Sequence, residues 1–312
     1  MRTVFIFLVG RCPACGSGYW GSIKARLDAW LSPYPVNTSR HFQLTNTGER
    51  ETAVDALARV SGLPKARIKD ALAKGAVTLT RAGKTKRLRR ATFALIRGDT
   101  LSLHYNPDVL ALVPPEPRLL ADEKHYSVWG KPAGLLAQGT QEGDHCALLR
   151  IAELQLKRDA FLVHRLDREA AGLMLVAHTP KAAAALSALF AATGSAQRIR
   201  KLYRVEVKGV TPEQGEITAP VDGKSALTRY TRIAVDAARN SSMLEVELVT
   251  GRKHQIRRHC AAIGFPVLGD PQYGEHNKDA RGLQLFAVAL EFLCPLSQRK
   301  RSWTWNPQHK PG

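Results

Sequence analysis

Four prolines crowd residues 107–118 of this 312-residue chain: Pro107, Pro114, Pro115 and Pro117. Each ring fixes its own φ and removes a backbone donor, so no long helix or central strand can run through the segment. A stiff linker is expected there. It cuts the chain into a front part and a larger back part, 119–312. At roughly 100–200 residues per domain, the length allows one large domain or two smaller ones, and the linker divides a small front unit from the back part.

The front part divides again. Residues 1–40 read as a leader, with a short apolar run Val4–Val9, a glycine-rich turn and a helix predicted over Ser22–Leu31 before Pro33 and Pro35. The apolar run is short for a signal peptide, and Cys12 and Cys15 stand where small residues should mark cleavage, so an intracellular protein is expected. Gly16-Ser17-Gly18-Tyr19-Trp20-Gly21 fits G-x-G-x-x-G, but no strand runs straight into it and no βαβ unit follows, so a dinucleotide site is not expected.

Residues 41–106 read as a small unit. Helices are predicted over Glu51–Val60, closed by Gly62, and from Pro64 to Gly75, with Ile68 and Leu72 on one face. Val77–Thr80 and Leu101–Tyr105 read as strands. Between them a cationic loop carries Arg81, Lys84, Lys86, Arg87, Arg89 and Arg90. Such a run can be a solvated face; in so basic a chain, phosphate contacts are the better reading.

The back part alternates short strands and helices. Strands are predicted at Tyr126–Trp129, Phe161–Val163, Leu173–Ala177, Leu202–Val207, Leu227–Val235, Met243–Val249 and Leu285–Ala289. Helices are predicted at Ala147–Lys157, Pro180–Phe190 (capped by Thr179) and His254–Ile263 (closed by Gly264). The pattern specifies an α+β fold on a mixed, mainly antiparallel sheet flanked by helices.

Lys and Arg total 46 against 27 Asp and Glu, a formal charge of +19. A polyanionic partner is implied, nucleic acid first and an anionic membrane surface second. No apolar stretch reaches the length of a membrane span. Five scattered cysteines are no disulfide framework. Cys12-Pro-Ala-Cys15 is half a zinc knuckle without its second pair, so no metal is expected.

Three clusters can carry chemistry. His164-Arg165-Leu166-Asp167-Arg168 follows a predicted strand. If the extended backbone continues, Arg165 and Asp167 face one side. A carboxylate beside a guanidinium stays ionised, which suits nucleophilic or electrostatic work; a structural ion pair at a strand end fits the spacing as well. His-Arg-x-Asp also matches a kinase catalytic loop, but the glycine-rich loop and Asp-Phe-Gly are missing.

The second cluster runs from Thr250 to His259. Gly251 breaks the strand, and the start of the following helix, with Arg252 and Lys253 beside it, suits a phosphate. Arg257 lies one turn beyond Lys253 and His254 and can face the same cleft. The third is Arg198, Arg200, Lys201, Tyr203 and Arg204: an aromatic among cations, able to stack on a base while the cations hold phosphates. No Walker loop, carboxylate cluster for Mg²⁺ or G-x-S-x-G elbow occurs.

These residues carry a resemblance. His164-Arg165-Leu166-Asp167-Arg168-Glu169-Ala170-Ala171-Gly172-Leu173-Met174-Leu175 resembles the H-R-L-D-R-D-T-S-G-L-L-L signature of RluA-type pseudouridine synthases. Lys131-Pro132-Ala133-Gly134 is similar to the K-P-x-G segment of that family, and Lys201-Leu202-Tyr203 to its K-x-Y strand. Thr250-Gly251-Arg252-Lys253-His254-Gln255-Ile256-Arg257, followed by Gly264-Phe265-Pro266-Val267-Leu268-Gly269-Asp270, resembles its T-G-R-x-H-Q-I-R and G-x-P-x-x-G-D block. Residues 119–312 are thereby identified with the catalytic domain. Residues 41–106 resemble the small αL RNA-binding domain that many members carry in front.

The resemblance implies isomerisation of uridine to pseudouridine in RNA without metal or cofactor. Asp167 matches the nucleophile, Tyr203 the tyrosine that stacks on the target base and helps remove the ring-carbon proton, Arg257 the arginine that pairs with the aspartate, and Arg165 the arginine implicated in base extrusion. The partner implied is ribosomal RNA, with transfer RNA the rival and a non-catalytic RNA-binding or ribosome-assembly role behind both. A cytoplasmic monomer is expected. Glu169-Ala170-Ala171 departs from Asp-Thr-Ser and removes two hydroxyls from the turn.

Overall fold

The computed structural model describes residues 39–192 and 199–306. The helix predicted over Ser22–Leu31, the Cys12–Cys15 pair and Arg198 lie outside them. From Arg40 onward the chain forms one contact unit built on two sheets.

The smaller sheet has four strands in the order β1-β4-β2-β3: β1 (Arg40–Thr45), β2 (Val77–Arg81), β3 (Lys84–Arg87) and β4 (Thr100–Tyr105). Helices α1 (Ala53–Ser61) and α2 (Lys65–Ala73) cover one face. Thr52 caps α1 through the Asp55 amide, and Gly62 closes it with φ +67°. Alternate residues of β4 (Leu101, Leu103 and Tyr105) enter a core with Leu57, Ile68 and Leu72. The expected cationic loop is instead a hairpin. Arg81 pairs with Lys84 across Ala82 and Gly83, both at positive φ, a turn whose twist matches that of the strands.

Residues 107–118 are not uniformly extended. Asn106 caps a single helical turn, α3 (Pro107–Leu110), with Pro107 at its first position, where proline's missing N–H costs nothing. Arg118 already begins the next strand.

The larger sheet has ten strands. Its main path runs β10 (Gln214–Ile217), β11 (Thr228–Asp236), β12 (Ser241–Leu248), β9 (Arg200–Lys208), β13 (Leu285–Leu293), β8 (Ala171–Ala177), β6 (Tyr126–Lys131) and β5 (Arg118–Asp122). Off this path, β7 (Phe161–Leu162) pairs with β8 and β14 (Lys300–Thr304) with β13. All these pairings are antiparallel except β13 with β8. The mixed, mainly antiparallel sheet and its flanking helices make the α+β fold expected from the sequence.

Every residue of β8 is buried, so the strand has a core on each face. Met174 and Val176 face a core closed by α4 (Leu148–Leu156) and α6 (Gln255–Ala262). Leu173 and Leu175 face another, closed by α5 (Pro180–Ala191), which Thr179 caps through the Ala182 amide. At Gly172 the parallel neighbour Ala287 lies so close that a Cβ would collide with its backbone, and φ is +125°. The glycine of the signature therefore permits the one parallel junction of the sheet.

Candidate active site

The strand before the signature ends at Leu162, so residues 164–170 form a loop rather than the extended run that would place Arg165 and Asp167 on one side. Arg165 is exposed, while Asp167 turns inward between the buried anchors Leu166 and Ala170. Local bonds set the loop. His164 stacks on Phe190 with centroids 3.9 Å apart, and its Nε2 accepts the Leu175 amide at 2.9 Å. That bond needs a lone pair on the imidazole, and burial pushes its pKa down to about 3, helped by the charge of Lys201.

Lys131 fastens the loop from below. Its buried Nζ donates to the carbonyls of Pro132, Leu135 and Arg168 at 3.0, 2.8 and 3.3 Å. The Gly134 amide donates to Arg168 O at 2.7 Å. The K-P-x-G segment thus holds the residue next to Asp167. Burial brings the Lys131 ammonium down to about 7, against the opposing charges of Glu169 and Asp167.

The second wall is the start of α6. Gln255, buried, uses both ends of its amide. Oε1 accepts from Thr250 Oγ1 and the Arg252 amide at 2.7 and 3.0 Å, and Nε2 donates to Leu227 O and Thr228 Oγ1 at 3.1 and 2.9 Å. This ties the turn after β12 to β11 and aims the helix. His254 takes the left-handed conformation at φ +53°, which histidine tolerates better than most side chains.

Arg257 reaches back from α6 between two carboxylates. Its Nε and Nη2 fork onto Asp270 at 2.8 and 2.7 Å, and Nη1 donates to Asp167 Oδ2 at 3.2 Å. Burial alone would lower its pKa, yet the bonds to Asp270 and then Asp167 hold it above the ordinary guanidinium value. Asp270 is fully buried and also accepts the amides of Gln272 and Tyr273, whereas the Asp167 side chain keeps 18 % of its surface. Asp167 is therefore the carboxylate that a ligand can reach, and Asp270 is the internal partner.

His254 Nε2 stands 3.4 Å from Asp167 Oδ1, and its Nδ1 is 3.0 Å from the Tyr273 hydroxyl. The Tyr273 ring lies against the Arg257 guanidinium at 5.2 Å. Tyr203, on β9 between Val246 and Ala287, packs on the same face of the sheet as α6. Burial and the charge of Asp167 raise its pKa, so it is a neutral phenol at physiological pH.

The fold therefore gathers Asp167 and Arg257 as an ion pair with Tyr203 near by. Arg252 and Lys253 lie exposed beside His254, with Arg252 Nε bonded to Ser225 O at 3.1 Å. The cations of residues 81–90, on the hairpin and just after it, fall into two sets. Arg81 forks onto buried Asp99 at 2.7 and 2.6 Å and covers the Phe93 ring. Arg87 and Arg89 meet Asp144 at 3.2 and 2.5 Å. Lys84, Lys86 and Arg90 are exposed. Sequence reasoning did not single out Asp270, Tyr273 and Lys131 as site residues. Lys131 and Asp270 stand in motif segments, whereas Tyr273 had no signal of its own.

The fold is similar to that of solved pseudouridylate synthases. The chain aligns with human RNA pseudouridylate synthase domain containing 1 at a TM-score of 0.53 and 20 % identity, covering 63 % of this chain and 87 % of that one. Residues 125–262 match the RNA pseudouridylate synthase family. An uncharacterized RNA pseudouridine synthase of Zymomonas mobilis is 32 % identical over 196 residues, 56 % of this chain and 86 % of that relative. A ribosomal large subunit pseudouridine synthase D of Pseudomonas aeruginosa is 34 % identical over 177 residues, 51 % of this chain and 54 % of its own length. The chain belongs to the RluA-type RNA pseudouridine synthase family. It spans about three fifths of the length of the large-subunit relatives it matches. Among the described residues no helix is long and apolar enough to cross a membrane, and no cluster of His, Cys, Asp and Glu could hold a metal.

Proposed function

We propose that this chain isomerises uridine to pseudouridine in cytoplasmic ribosomal RNA, with Asp167 as the nucleophile. The observation that carries the reading is the asymmetry around Arg257: one carboxylate is sealed and doubly gripped, and the other is held by a single bond yet reachable, on a loop bearing exposed Arg165 and Arg168. A base must leave its stack before chemistry on it, at a cost of a few kcal/mol. Stacking on the neutral Tyr203 ring offsets about 1–3 kcal/mol of that. Arg165, exposed on the loop, assists extrusion. Tyr203 helps remove the ring-carbon proton, and Arg257 pairs with Asp167.

Residues 41–106 act as the αL RNA-binding unit, with Lys84, Lys86 and Arg90 toward phosphates. Arg252 and Lys253 do the same at the mouth of the site. Exposure of these cations supports the assignment.

The test uses RNA from cells lacking the gene, labelled with tritium at uridine C5 and fractionated by size. Isomerisation exchanges the C5 hydrogen, so the purified protein should release tritium from the ribosomal fraction. Asp167→Asn should release none while binding the RNA within a few-fold. Release from the transfer RNA fraction alone would replace the ribosomal reading, and no release from any fraction would overturn the activity.

A further inference from the structure

Asp167 is held from two sides, and one hand of that grip has no role in the reading above. Arg257 addresses Oδ2, and His254 faces Oδ1 from the same helix start at 3.4 Å. Each of these donors is backed by the turn that follows Leu268. Asp270 backs Arg257, and Tyr273 backs His254 through the 3.0 Å contact of its hydroxyl with Nδ1. Tyr273 is itself fixed: its amide donates to Asp270 Oδ1 at 3.1 Å, its carbonyl accepts Asn277 Nδ2 at 3.1 Å, and its ring lies on the Arg257 guanidinium.

From this geometry we infer that His254 and Tyr273 are positioning residues for Asp167. The Tyr273 hydroxyl donates to Nδ1, which puts the imidazole hydrogen on Nε2, toward the carboxylate. The opposite tautomer would turn a lone pair on Nε2 against an anionic oxygen, acceptor facing acceptor. With both oxygens addressed, the carboxylate cannot rotate about its Cβ–Cγ bond, and its orientation toward a flipped nucleotide is fixed before the substrate arrives. Long contacts of this kind in an empty site tighten when the substrate closes over them.

The charges facing His254 are Asp167 and Asp270, which favour its protonation, and Arg257 and Lys253, which oppose it; burial, the largest influence, leaves the imidazole below its ordinary pKa. A neutral ring is what the tautomer argument needs, since an imidazolium would carry hydrogen on both nitrogens and make the hydroxyl redundant.

The experiment has two arms, and the kinetic one rests on the proposed isomerase activity. In the first, the full chain with ¹⁵N-labelled histidine is examined by NMR at neutral pH. His254, assigned by its loss in His254→Gln, should show hydrogen on Nε2 and none on Nδ1; the reverse overturns the inference whatever the activity. In the second, single-turnover tritium release and RNA affinity are measured for Tyr273→Phe, His254→Ala and the double variant. Tyr273→Phe keeps the ring over Arg257, so folding is preserved. Each single variant should lose roughly tenfold to a hundredfold in rate at unchanged affinity. The double variant should be no slower than His254→Ala, because the two act as one unit. Losses that multiply, or a Tyr273→Phe rate equal to wild type, overturn the inference. A wild-type protein that releases no tritium overturns the isomerase reading instead, and the NMR arm still decides this one.

Discussion

Asp270 grips Arg257 with both carboxylate oxygens, whereas Asp167 touches the same guanidinium through one. The unequal grip separates a sealed pair from an accessible one. Asp270→Ala should leave the buried guanidinium with only its single bond to Asp167 and cost about 3–5 kcal/mol. Asp167→Asn leaves the Asp270 fork intact and should shift stability by less than about 1 kcal/mol. Urea unfolding of both variants, compared at equal m-values, checks the contrast.

Tyr203→Phe separates the ring from the hydroxyl. The aromatic face remains for stacking, so RNA affinity should be unchanged. Turnover should fall by about 10²–10⁴-fold if the phenol takes part in proton transfer. Tyr203→Ala should also weaken binding, by about 1–3 kcal/mol. Rates and affinities on one transcript decide; a Phe variant at the wild-type rate removes the hydroxyl from the chemistry.

His164 makes stability pH-dependent. Its folded pKa, about 3, lies below the 6.5 of a free imidazole. Between those values the unfolded chain binds more protons than the folded one, so stability rises with pH across the window and is lost on acidification. From pH 7 to pH 5 this group should remove about 2 kcal/mol. His164→Phe preserves the stack on Phe190 but cannot titrate. It should be less stable at pH 7, having lost the acceptor for the Leu175 amide, and should show a flatter stability profile between pH 5 and 7. An equal slope in both proteins assigns the acid sensitivity elsewhere.

The exposed hairpin cations should be felt in the salt dependence of RNA binding. Replacing Lys84, Lys86 and Arg90 together by alanine should lower the slope of log affinity against log salt by roughly 2–3, at about 0.7–0.9 per phosphate. Arg81→Ala should behave differently. It strips the partner from the fully buried Asp99 carboxylate, so it should cost stability and leave the slope alone. Filter binding over a salt series, with melting curves alongside, distinguishes the two.

The sequence revealed elements that carry a buried face or a cap. Alternating Leu101, Leu103 and Tyr105, the Thr179–Pro180 cap and Gly62 each announced their element through local physics. Strands β1, β3, β5, β10 and β14 were missed because their residues are mostly exposed or half-buried, and a strand such as Lys84–Arg87 has no apolar period to read. The same limit governs the site. Asp167 and Arg257 stood in motifs, but their contact spans 90 positions. The fork from Asp270 and the tyrosine behind His254 depend on where the turn after Leu268 falls in space. That placement follows from pairing across the sheet, which no window of sequence displays.

Strand β13 has a consequence for the birth of the protein. It lies between β9 and β8 at the middle of the large sheet, yet it follows every other strand of the main path in the chain. Until Leu285–Leu293 is available, the nascent chain holds two half-sheets, each with an open hydrogen-bonding edge of the kind that invites mispairing. Asp167 travels with one half and Arg257 with the other. The two charges meet once the late strand joins the halves, so before that step the chain has neither the Asp167–Arg257 pair nor a shielded edge. The Asp167–Arg257 pair and protection from aggregation should arrive in the same step.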